Sequence, residues 1–268
     1  MGFVNRVLRI RKSQLGPVVT PWSKANQLPV GQECQTLVSL AAIILFAATM
    51  LISLWATIRV KRVYSRWSEV KASSGLSGAE VAASILDRSG IHDVEIVEHD
   101  EMLGDHYDPV RKRLVLSSQN YHGTSVAALG VAAHECGHAV QHKSAYGPLC
   151  WRMSAVAATQ FASHIVLWLP LLGIFTGYLN GRNAAWILAV AWGVIMLFNL
   201  ITLPVEFDAS RRAKAVLGAM GFVGTESEMV GVRKTLDAAG LTYVAAFITS
   251  FAYFLWHLIP LLLGGRRE

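Results

Sequence analysis

The residues most able to do chemistry in this chain stand together: His134-Glu135-Cys136-Gly137-His138. On a helix of about 3.6 residues per turn, positions four apart share a face, so both imidazoles can aim at one point. Glu135 projects roughly a quarter-turn away, within reach of a metal-bound water without being a ligand itself. Two neutral imidazoles to hold Zn²⁺ and a carboxylate to accept a proton make a hydrolytic metal centre. A coincidental pair of helix-surface histidines is the reading that these five residues leave open. Cys136 points off the ligand face and is expected to pack within its helix.

A catalytic zinc site has three protein ligands and keeps one position open. Glu206 is the candidate third ligand, because a carboxylate directly after a strongly apolar stretch needs a reason to be there. The alternative is that Glu206 and Asp208 face solvent at a membrane boundary, paired with Arg211 or Arg212. Topology offers a check. Two apolar stretches separate His138 from Glu206, so both emerge on the same side of a membrane, as a shared site demands.

Those stretches follow from composition. The chain has 268 residues, 53% of them hydrophobic and only 16% charged, with a mean hydropathy of +0.40. These values suit a membrane protein with a modest aqueous part rather than a soluble domain. Segments 37–58, 184–203 and 241–263 are long enough for a hydrocarbon core of about 30 Å and carry no Asp, Glu, Lys or Arg. Segment 153–179 is more mixed, with Gln160, His164 and Pro170, but equally uncharged. The expected organisation is a basic polar segment 1–36, a span 37–58, and a first catalytic part 59–152. A transmembrane hairpin 153–203, a second catalytic part 204–240, and a span with basic tail 241–268 complete it. No cleavable signal peptide is evident in residues 1–36. Three scattered cysteines exclude a disulfide framework. The net charge of +6 has an ordinary cause in basic residues flanking spans, and no nucleic-acid partner is expected.

Local signals place the elements. Ser77 and Glu80 form a capping box for a helix that stops at Gly90. Residues 93–97 and 113–117 read as strands, with His106, Tyr107 and Pro109 between them. Thr124 or Ser125 caps the motif helix, whose many small residues predict burial at the centre of the site. Pro204 suits the first turn of a new helix carrying Glu206. Thr225 and Glu228 open another helix, expected to end near Gly240.

Asp105-His106-Tyr107-Asp108-Pro109, the motif itself, and Leu203-Pro204-Val205-Glu206-Phe207-Asp208-Ala209-Ser210-Arg211 together resemble a known family. The chain resembles the YugP-type neutral zinc metallopeptidases of bacterial membranes from about residue 75 to residue 247. Gly75-Leu76-Ser77-Gly78-Ala79-Glu80, Tyr146-Gly147-Pro148-Leu149 and Leu241-Thr242-Tyr243-Val244-Ala245-Ala246 extend the match. More distantly it is similar to the HtpX-like and prenyl-protein membrane zinc proteases, which also place a hairpin of spans between the histidine motif and a glutamate ligand. The resemblance implies a mainly α polytopic membrane protein with about four transmembrane helices. It also implies a small α+β, gluzincin-like zinc peptidase domain split by a transmembrane hairpin. His134, His138 and Glu206 become ligands of one Zn²⁺ per chain, and Glu135 the catalytic base. HtpX-like proteins carry an aspartate four residues after the ligand glutamate, where this chain has Ser210. Asp208 is then the candidate for orienting a ligand histidine.

The expected activity is zinc-dependent hydrolysis of peptide bonds at the membrane surface. His106, Tyr107 and Tyr243 are candidate donors to the developing oxyanion, although the 105–108 cluster equally suits a turn that packs the strands. The strand at 113–117 is expected to offer an edge to an extended substrate. The partners expected are a membrane-associated protein or peptide and the bilayer. The place is the bacterial inner membrane, with the catalytic face on the cytoplasmic side by the distribution of Lys and Arg. A non-catalytic membrane scaffold with a structural zinc is the alternative. It has no need of Glu135, and a structural zinc takes four protein ligands.

Overall fold

A computed structural model describes residues 30–100, 104–176 and 181–263. The basic residues 1–29, the end of the second predicted span and the basic tail from 264 lie outside the described residues. The chain divides into two compact units, Met1–Ala47 and Ala48–Glu268, and every contact below lies within the second. In order, the elements are α1 (Val30–Ser68), α2 (Gly78–Arg88), β1 (Glu95–His99), β2 (His106–Asp108), β3 (Arg113–Ser117), α3 (Ser118–Tyr121), α4 (Val126–Lys143), α5 (Gly147–Thr176), α6 (Gly181–Ala219) and α7 (Glu226–Leu263).

Among the described residues, four helices are long and apolar enough to cross a membrane, over Thr36–Ser68, Gly147–Gly173, Gly181–Ala219 and Glu226–Leu263. They leave large apolar side chains uncovered, among them Phe46, Leu51, Phe161, Leu167 and Val190. A surface of that kind needs hydrocarbon rather than water around it. The membrane architecture expected from composition, mainly α as the resemblance implies, is therefore what the chain adopts.

Two predicted breaks do not occur. Pro204 starts no new helix: α6 runs without interruption from the apolar stretch through Glu206 to Ala219. Gly240 ends nothing either, because α7 continues across it from Glu226 to Leu263. A change in composition marks where a helix leaves the membrane, not where its backbone hydrogen bonding stops. A proline is tolerated inside such a helix where neighbouring helices support it. The consequence is mechanical, since Glu206 and Tyr243 ride on the same rods that carry the spans.

The local signals hold elsewhere. Ser77 and Glu80 close the capping box on α2, and Gly90 takes the left-handed conformation (φ +65°) just after it. Ser125 caps α4 by accepting from the Ala128 N–H, and Thr225 accepts from the Glu228 N–H at the start of α7. The first predicted strand is shifted by two residues, to Glu95–His99.

The sheet order is β1-β3-β2, with β1 parallel and β2 antiparallel to β3. The strand expected to offer a free edge, β3, is the central one and is paired on both sides. The edges belong to β1 and β2, and the sequence did not mark the three residues of β2 as a strand. Asp105 explains the surrounding loop: it accepts from the Ser117 N–H at 2.8 Å and from the Asn120 amide at 2.9 Å. Asp108 caps the following turn through the Val110 and Arg111 N–H groups, which holds its carboxyl below the usual range.

The core wraps α4. Val81, Ile85 and Leu86 of α2, Leu114 and Leu116 of β3, Leu217 of α6, and Val232 and Leu236 of α7 pack around Val126, Leu129, Ala133 and Cys136. Each aliphatic side chain buried in this way contributes roughly 1.5–3 kcal/mol. Cys136 donates to the Ala82 carbonyl at 3.7 Å, and burial pushes its thiol pKa well up, so it is a packing residue as expected.

Small residues set the spacing of α4. A Cβ built on Gly137 would lie 2.8 Å from the Ala209 carbonyl oxygen of α6 and 3.1 Å from its Cα. Both contacts are to backbone and cannot swing aside. Gly137→Ala is therefore expected to push α6 from α4 and destabilise the protein by about 1–3 kcal/mol. Unfolding in detergent checks it, and the same displacement should loosen whatever the two helices hold between them.

Candidate metal centre

Helical geometry puts His134 and His138 one above the other on α4, with ring centroids 4.8 Å apart and planes nearly perpendicular. Across the close contact at Gly137, α6 presents Glu206, which is only 2% exposed. Its Oε2 lies 3.3 Å from His134 Nε2 and 3.6 Å from His138 Nε2. One donor atom from each of the three residues falls within 4.8 Å of the others, and among the described residues no other such group of three occurs.

The donors fit zinc. A tetrahedral ion with bonds of about 2.0–2.1 Å separates its ligand atoms by roughly 3.4 Å, close to both His–Glu distances. Proton placement agrees. Gln141 donates its amide to the Val205 carbonyl at 2.8 Å and to Asp208 at 3.0 Å. Its Oε1 must then accept from His138 Nδ1, 3.0 Å away. That fixes the proton on Nδ1 and leaves the Nε2 lone pair facing Glu206. His134 Nδ1 has Ser210 Oγ at 3.1 Å in the equivalent place.

Electrostatics draw positive charge to this point. Burial alone pushes His138 down, but Glu206, Glu135 and Gln141 outweigh it and hold its pKa above the ordinary value. A site that favours a proton on a buried imidazole favours a cation of any kind there.

Glu135 is outside the donor set and lines two cavities that meet at it. One, of about 150 Å³, also touches His134, Glu206, Ser210, Leu236 and Tyr243. The other, of about 260 Å³, includes His106, His138, Arg152 and Tyr243, with Met153 and Val156 of α5. His106 donates from Nδ1 to the Gly104 carbonyl at 2.6 Å and stays open to that second cavity. Tyr107 lines it too, yet its hydroxyl pairs with His142 Nδ1 at 2.9 Å, in a separate cavity that none of the three donors lines.

The structure thus brings together His134, Glu135, His138 and Glu206, with Tyr243 and His106 beside them. Asp208 is close by but orients no histidine directly; it holds Gln141, and is itself held by Arg211 and Arg212. Three contributors escaped the sequence. Gln141 and Ser210 sit a helical turn from a donor, His138 and Glu206, and that spacing is a usable signal. Arg152, whose Nη1 lies 3.2 Å from Glu206 Oε1, comes from another helix and left no such signal.

A polytopic α-helical protein with a buried His-His-Glu cluster is the class that this fold and site define. The chain belongs to the family described as "Putative neutral zinc metallopeptidase", whose model matches residues 42–262. It is 42% identical over 226 residues to "Putative membrane protease YugP" of Bacillus subtilis (strain 168), covering 84% of this chain and 98% of that protein. No solved structure matches it.

Proposed function

We propose that this chain is a membrane-embedded zinc endopeptidase that cleaves peptide bonds at the membrane surface. The observation that carries the reading is the convergence of His134, His138 and Glu206 beside a carboxylate, Glu135, that faces open cavities. These three residues would hold one zinc ion, which when bound makes water acidic near neutral pH and polarises a carbonyl oxygen. Glu135 accepts the proton as water attacks the peptide carbon and returns it to the leaving amine as the C–N bond breaks. Tyr243 and His106, which both line the second cavity, would donate to the oxyanion. Asp208 steadies His138 through Gln141.

Three donors backed by cavities favour catalysis over a structural zinc in a scaffold, which would close the site with a fourth ligand. Glu206 follows the apolar part of α6 by less than one turn, so cleavage takes place close to the bilayer. The cavity wall formed by Leu149, Met153, Val156 and Phe198 is apolar and suits a membrane-associated peptide. The outer edge of β2 offers an extended substrate backbone hydrogen bonds. Arg59, Lys61, Arg62, Arg66 and Lys71 at the end of α1 support a cytoplasmic catalytic face in the inner membrane.

Detergent-purified protein is expected to hold about one zinc per chain. It should cleave unstructured membrane-protein segments, lose that activity with a chelator and regain it with zinc. Metal analysis beside a cleavage assay checks this. Protein without zinc after reconstitution would overturn this reading and the structural-zinc scaffold alike.

A further inference from the structure

The two oxygens of Glu206 have different partners. Oε2 faces both imidazoles, whereas Oε1 is 3.2 Å from Arg152 Nη1. Arg152 stands in the second turn of α5, a helix that otherwise reads as a membrane span. Its side chain is 30% exposed against 2% for Glu206, so it reaches inward to meet a carboxylate that cannot move out to water. Among the described residues, the two cavities at Glu135 are lined by Asp105, Glu135 and Glu206, and by no Lys or Arg other than Arg152. A guanidinium is also the one side chain that stays charged at any working pH.

We infer that Arg152 is a positioning residue that holds Glu206 to single-oxygen ligation. With Oε1 occupied, Glu206 presents Oε2 alone to the ion. That would leave the remaining ligand position to water and a carbonyl. Without Arg152 the carboxylate is free to turn both oxygens to the metal and crowd that position, and its negative charge goes unopposed in a buried place. Because Arg152 belongs to α5, the membrane hairpin itself completes the centre. This inference rests on the zinc reading above.

The test compares wild type, Arg152→Met and Arg152→Lys in detergent, by chelator competition for zinc and by the visible spectrum after cobalt substitution. Arg152→Met loses the cation that opposes Glu206 and frees its second oxygen, so it should bind zinc more tightly, by up to about the 10–100-fold that partners of ligands typically contribute. Its cobalt bands should weaken as the ion gains a fifth donor. Arg152→Lys, which keeps the charge, should return most of the way to the wild-type affinity. Wild-type affinity and spectrum in a folded Arg152→Met protein would overturn the assignment. Should that variant fail to fold, the same comparison is made on Arg152→Gln, and wild-type values there overturn it equally. Wild type that binds no metal would instead remove the zinc reading, and this inference with it.

Discussion

Glu135→Gln is expected to leave zinc in place and to abolish hydrolysis. Glutamine matches glutamate in size and keeps a hydrogen-bonding oxygen, so the cavity wall where Glu135 sits should keep its shape. What it lacks is the ability to take a proton. General-base catalysis of this kind contributes about 10²–10⁴-fold, and kcat should fall by at least that order. The donor atoms of His134, His138 and Glu206 do not include Glu135, so metal content should match wild type. Metal analysis and single-turnover cleavage on the same preparation separate the two effects. A variant that cleaves at the wild-type rate would sink the proposed mechanism; one that loses its metal would show Glu135 to be a ligand.

Removing a donor should act the other way, on the metal first. For His138→Ala and Glu206→Ala we expect both zinc and activity to be lost. Zinc sites bind with about 10–16 kcal/mol. Deleting one of three protein donors should therefore take away roughly 3–5 kcal/mol, or about 10²–10⁴ in affinity. The environment adds to the loss. His138→Ala strips Gln141 Oε1 of its donor in a fully buried place, and Glu206→Ala removes the carboxylate that stands between Arg152 and both imidazoles. Chelator competition reads the affinity, and circular dichroism in detergent shows whether the fold survives. Stoichiometric zinc in a folded Glu206→Ala protein would remove Glu206 from the ligand set.

Much of this was legible without coordinates. Spacing alone put His134 and His138 on one helical face, because helical periodicity is a local property of the backbone. Hydropathy located all four membrane helices, because a bilayer imposes a length and an apolar composition that few other environments demand. Counting the two spans between His138 and Glu206 made their meeting feasible. Ser77, Ser125 and Thr225 announced three helix starts through side chains that bond their own neighbouring backbone.

Other features depend on partners distant in the chain. Glu206 opposite the histidines requires α4 and α6 to touch at Gly137 and Ala209, and no local pattern states that these two surfaces meet. The order β1-β3-β2 put the apolar strand β3 in the middle and left β1 and β2 at the edges, since pairing is decided by long-range contacts rather than by strand propensity. The helices α6 and α7 run through Pro204 and Gly240 because tertiary packing overrides the local tendency to break. Arg152 is the clearest case: it lies fifty-four positions before Glu206 (206 − 152) and on a different helix. The sequence determined which residues are equipped for chemistry. Only the folded chain decided which of them share a buried space, where a carboxylate, two imidazoles and a guanidinium each set what the others can do.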